Sequence, residues 1–64
     1  MYKNLYSELK ERKITQTELA KLLNITGRGL NLKMLGKSEF KSGEMFKIRE
    51  TYFPDLTLEY LFKK

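Results

Sequence analysis

The chain has 64 residues with no Cys and no His, and its 13 Lys and Arg outnumber 8 Asp and Glu for a formal charge of +5. That length fits one domain, residues 1–64, near the lower limit at which an apolar core alone holds a fold. The missing Cys and His exclude disulfide staples and thiolate metal sites and remove the commonest general base and metal ligand. No apolar run approaches the roughly 20 residues of a membrane span, and the N-terminus lacks a signal-peptide core. A cytoplasmic protein with no membrane partner is therefore expected.

Tyr2 to Arg12 reads as a first helix, with Leu5 and Leu9 one turn apart, Tyr2 and Tyr6 beside them, and charges on the remaining faces. Lys10, Arg12 and Lys13 form its basic end, which suits either a phosphate or the negative end of the helix dipole. A second helix runs from Gln16 to Leu23. Thr15 is its N-cap, and Glu18 stands at the spacing that completes a capping box. Leu19, Ala20, Leu22 and Leu23 make its apolar stripe.

Asn24 tolerates the left-handed backbone that ends a helix, and Ile25-Thr26 supplies an apolar anchor and an N-cap for the next. The third helix spans Gly27 to Leu35. Advancing about 100° per residue from Leu30, Met34 stays on the buried side while Arg28, Leu32 and Leu35 project oppositely and Asn31 flanks them. Gly36 is placed to end it at positive φ. Lys37 to Phe40 form a connector, with Phe40 closing the core.

A fourth helix runs from Ser42 or Gly43 to Tyr52. Met45, Ile48 and Tyr52 mark its buried face, and Phe46 and Phe53 are expected to add apolar bulk to the core. Pro54 stops it, since the residue before a proline is pushed out of the helical region. Asp55 or Thr57 then caps a last short helix, Leu58 to Phe62. No strand is expected. The fold class is all-α, a compact bundle of four to five short helices containing a helix-turn-helix.

Between Leu19 and Ser38 there is no Asp or Glu, while Lys21, Arg28, Lys33 and Lys37 fall there. This acid-free window covers the helix-turn-helix and suits a polyanionic partner, although charge alone equally fits a solvated Lys-rich surface. The carboxylates sit mostly at caps or opposite lysines, with no pair placed for shared proton transfer. Neither an enzyme nor a cofactor is expected.

Thr15-Gln16, Glu18-Leu19-Ala20, Leu22-Leu23, Ile25-Thr26, Leu30 and Gly36-Lys37 resemble the helix-turn-helix of the Cro/repressor (lambda-repressor-like, XRE) family. Gly36 to Phe40, the segment through Ile48, Phe53 to Leu56, and Leu58 to Phe62 are similar to a subset of short phage and prophage regulators. The resemblance implies a sequence-specific transcriptional regulator that inserts helix 27–35 into the major groove of an operator in double-stranded DNA, as a homodimer. It implies base contacts from Arg28, Asn31, Leu32 and Gly27. Arg28 would be bidentate to guanine, Asn31 would pair with adenine or a phosphate, and Leu32 would lie against a thymine methyl. It implies phosphate contacts from Gln16, Thr26, Lys33, Lys37, Ser38 and Lys41.

Gly27 and Gly29 stand where the family usually carries polar or hydroxyl side chains, and each interior helical Gly costs about 0.8–1.0 kcal/mol relative to Ala. With Leu32 and Leu35 facing outward, they motivate a second reading: an antirepressor or corepressor that docks on a partner repressor without reading DNA itself. The tail from Phe53 to Phe62 holds more apolar surface than one short helix can bury in so small a domain. Tyr60, Phe62 and Leu56 are the residues expected at a dimer interface.

Overall fold

The computed structural model describes residues 1–64 and contains five helices and no strand: α1 (Lys3–Glu11), α2 (Gln16–Leu23), α3 (Gly27–Met34), α4 (Ser42–Tyr52) and α5 (Leu58–Leu61). No helix is long and apolar enough to cross a membrane.

Three of the five starts use the same device. Thr15, Thr26 and Thr57 are extended residues whose hydroxyls accept the amides of Glu18 (3.1 Å), Gly29 (3.0 Å) and Tyr60 (3.1 Å). Each bond satisfies one amide that the helix leaves without an internal partner. Only the Thr15 half of the expected capping box at α2 forms. The return bond from an N3 carboxylate occurs instead at α4, where Glu44 Oε1 accepts the Lys41 amide at 2.9 Å. Thr57, not Asp55, caps α5.

Three helices end alike. Lys13 (φ 58°), Asn24 (φ 56°) and Gly36 (φ 81°) adopt the left-handed conformation. The residue after each donates its amide five residues back: Ile14 to Leu9 (2.8 Å), Ile25 to Ala20 (3.0 Å) and Lys37 to Leu32 (3.0 Å). These are Schellman closures. Asn24 and Gly36 are suited to that backbone, whereas Lys13 adopts it against its Cβ. Lys13→Gly is expected to stabilise the chain by roughly 0.5–1 kcal/mol in a urea melt, strain relief exceeding the added unfolded-state entropy. An unchanged or lower midpoint contradicts this.

The core joins all five helices: Leu5 and Leu9 of α1, Leu19 and Ala20 of α2, Leu30 and Met34 of α3, Ile48 of α4 and Leu61 of α5, together with Tyr2, Phe40 and Phe53. α2 packs on α3 and α4, and α5 bridges α1 and α4. Tyr2, Phe40 and Phe62 meet edge to face with centroids 5.2–5.8 Å apart, and the Tyr2 amide donates to Met34 O at 3.3 Å.

Two apolar expectations are corrected. Phe46 is 50% exposed, not core. It lies two residues from the fully buried Ile48, about 200° around the helix and so on the opposite face. In the tail, Leu56 and Phe62 pack against the core of their own chain, and Tyr60 alone of the three expected interface residues is exposed. The fold uses this surface because α5 turns back onto α1: Asn4 Nδ2 donates to Tyr60 O at 2.8 Å, and the Tyr60 hydroxyl donates to Glu8 Oε2 at 3.0 Å.

Arg12 ties α1 to the loop after α4. Its guanidinium donates to Tyr52 O (2.9 Å) and to both Asp55 oxygens (3.0 and 2.8 Å), with its centre 4.8 Å from the Phe53 ring centroid. The two alternatives open for the basic end of α1 therefore do not describe Arg12, which is occupied by a bidentate structural ion pair.

Candidate nucleic-acid interface

Helix α3 turns Leu30 and Met34 into the core and leaves Gly27, Arg28, Asn31, Leu32 and Leu35 exposed. Arg28 sits about 160° around the helix from Leu30, so burying the stripe directs the guanidinium to solvent. Gln16 and Thr17 at the start of α2 and Thr26 at the start of α3 are exposed as well. Thr26 Oγ1 accepts the Gly29 amide, and its hydroxyl proton remains available to a phosphate oxygen.

The two glycines act differently. Gly27 is the first helical residue, exposed, and a Cβ there would meet nothing within 4 Å; its amide and that of Arg28 belong to the first turn, whose amides have no acceptor within the helix. At Gly29 a Cβ would stand 3.2 Å from Thr26 Oγ1, crowding the cap. The full interior-helix penalty therefore does not apply at Gly27, and at Gly29 the missing side chain gives the cap room.

Beyond α3, Lys37, Ser38 and Lys41 are exposed. The loop carrying them is closed by bonds from the Gly36 amide to Lys33 O (3.1 Å) and from the Lys37 and Ser38 amides to Leu32 O (3.0 and 3.3 Å). It is anchored by the buried Phe40. No group of three or more acidic, His or Cys side chains is arranged to hold a metal ion. A shallow groove lined by Tyr6, Leu9, Lys10, Ile14 and Gln16 runs beside the start of α2.

No family model, curated protein or solved structure matches the chain.

Lys33 departs from its expected role. Instead of reaching outward to a phosphate, its ammonium donates to Glu44 Oε1 (2.9 Å) and Glu39 O (3.0 Å) and lies 5.8 Å from the Phe40 ring centroid. Its side chain is 12% exposed and that of Glu44 17%. The physical reason is angular, because Lys33 is only about 60° from Leu30 and flanks the buried stripe. That geometry is present in the sequence, but the partner eleven residues away is not a helical neighbour and carries no local signature.

Burial would raise the Glu44 carboxyl, but the hydrogen bonds from the Lys41 amide and Lys33 and the charges of both lysines together hold it below its ordinary value. The hydrogen bond from Arg12 holds the Asp55 carboxyl low too. Stability from two depressed carboxyls is complete above their unfolded values near pH 4 and is lost as pH falls through the folded values. Tyr60 has the opposite sign. Its bond to Glu8 raises the phenol, so that contribution is full below about pH 10 and lost as pH rises through the folded value. The urea midpoint is expected to be level from about pH 5 to pH 9 and to fall on both sides. Glu44→Gln with Asp55→Asn should flatten the acid limb, and an acid limb of unchanged steepness contradicts the assignment.

Proposed function

We propose that the chain is a sequence-specific DNA-binding transcriptional regulator that inserts α3 into the major groove. The observation that carries this reading is the outward face of α3: Arg28 stands across the helix from a stripe that is wholly buried, Asn31 is exposed at the flank, and the exposed Gly27 adds no side chain beside them, on a helix with no acidic residue. A helix of that width fits the major groove, and Arg and Asn are the side chains whose paired donors and acceptors match guanine and adenine edges. Gln16, Thr26, Lys37, Ser38 and Lys41 are the candidate phosphate contacts, and Lys33 is removed from that set. Binding as a homodimer on a two-fold operator has less of the tail to draw on than the sequence suggests, since Leu56 and Phe62 pack inward.

The test is a titration of ¹⁵N-labelled protein with duplex DNA, following amide shifts. The largest changes are expected at residues 16–17, 26–32 and 37–42. Changes centred on α5, or on the Phe46 face of α4, contradict the reading.

A second reading is favoured by one observation. Leu32 and Leu35, 38% and 44% exposed, share the α3 face and would suit a partner repressor. Leu32→Asp is expected to leave the fold intact at a cost of about 1 kcal/mol, because the side chain is only partly in solvent and Asp is the poorer helix former. If the face is a docking surface, the same change abolishes capture of the partner repressor. Undiminished capture contradicts docking through Leu32.

A further inference from the structure

We propose that Lys33 is a positioning residue for the DNA-backbone contacts, a staple that fixes the loop from Gly36 to Lys41 without touching DNA. This inference rests on the DNA-binding reading. One ammonium joins three parts of the chain: it sits on α3, donates to the carbonyl of Glu39 (3.0 Å), and donates to Glu44 Oε1 (2.9 Å) in the first turn of α4. The same Glu44 oxygen accepts the Lys41 amide at 2.9 Å. Lys33 therefore holds the connector at both ends of Phe40, whose ring it also faces.

The residues displayed outside this staple are Lys37, Ser38 and Lys41, all exposed. A loop that must present cations to fixed phosphates loses affinity with every conformation it samples outside the bound one. The mostly buried ion pair resists solvent screening, so the staple keeps its strength at salt concentrations that weaken exposed charges. Lys33 thus acts through Lys37 and Lys41, and the three form one thermodynamic unit.

The experiment combines Lys33→Met, which keeps an apolar stem near Phe40, with the double change Lys37→Ala and Lys41→Ala. In the free protein, Lys33→Met is expected to accelerate amide exchange at residues 37–41 relative to α1. In duplex binding it should cost about tenfold in the wild-type background and nearly nothing once Lys37 and Lys41 are alanine, because residues acting as a unit are non-additive. Equal losses in both backgrounds overturn the inference, since they mean that Lys33 touches DNA directly or acts only through global stability. Unchanged exchange in the loop overturns it too. If Lys33→Met does not fold by circular dichroism, Glu44→Gln, which retains an acceptor for the Lys41 amide, replaces it in the same cycle with the same criteria. Wild-type protein that binds no duplex overturns the proposed function, and this inference with it. Duplex binding with additive losses overturns the inference alone.

Discussion

Phe53→Ala is expected to destabilise the chain by roughly 3–5 kcal/mol, leaving much of it unfolded at 25 °C. Phe53 is fully buried and is the residue at which α4 ends: its amide donates to Arg49 O (2.8 Å) and its carbonyl accepts the Leu56 amide (3.0 Å). Its ring lies under the Arg12 guanidinium and 6.3 Å from the Tyr52 ring, edge to face. Truncation removes the largest side chain from the junction of α1, α4 and α5 and leaves Arg12 without its platform. A cavity there has little prospect of collapse, because Pro54 and the Arg12–Asp55 pair fix the backbone on its far side. Urea denaturation checks the result, and a loss below about 1 kcal/mol would show that this junction is not the centre of the core.

Arg28→Ala is expected to behave in the opposite way, with the fold unchanged and binding impaired. Arg28 is exposed and takes part in none of the side-chain hydrogen bonds or ion pairs that hold the helices together. Its removal should leave the thermal midpoint in place while costing about 1–3 kcal/mol on the preferred duplex and relaxing the preference at one base pair. Competition between the preferred site and single-base variants measures it. An equal loss on every sequence would make Arg28 a phosphate contact and pass specificity to Asn31 and Leu32.

Sequence marks the bounds of α2 and α3 closely because local chemistry sets them. A threonine three residues before a free amide, an Asn or Gly able to take positive φ, and a stripe at helical spacing are all contained within one short segment. The outward placement of Arg28, Asn31, Leu32 and Leu35 follows from that stripe and agrees with their exposure. Other features depend on contacts between distant segments. Arg12 and Asp55 are 43 residues apart and Lys33 and Glu44 eleven, so neither pairing is written in a local pattern. Each converts a side chain that reads as a free cation into a structural one. The left-handed Lys13 has no propensity signal at all. It follows from the short passage out of α1 that seats Ile14 against the core. Phe62 is the reverse case: an apolar residue at the end of the tail reads as surplus until the ring finds Tyr2 and Phe40.

Affinity of the purified chain for the DNA flanking its own gene, against a scrambled duplex of the same length, at about 50 and 200 mM salt, bears most directly on the proposed function. A DNA-reading α3 predicts tighter binding to the natural duplex at both concentrations, with affinity falling steeply between them as phosphate contacts release counterions. Equal, weak binding to both duplexes would contradict sequence-specific recognition and favour a protein partner for the Leu32 and Leu35 face.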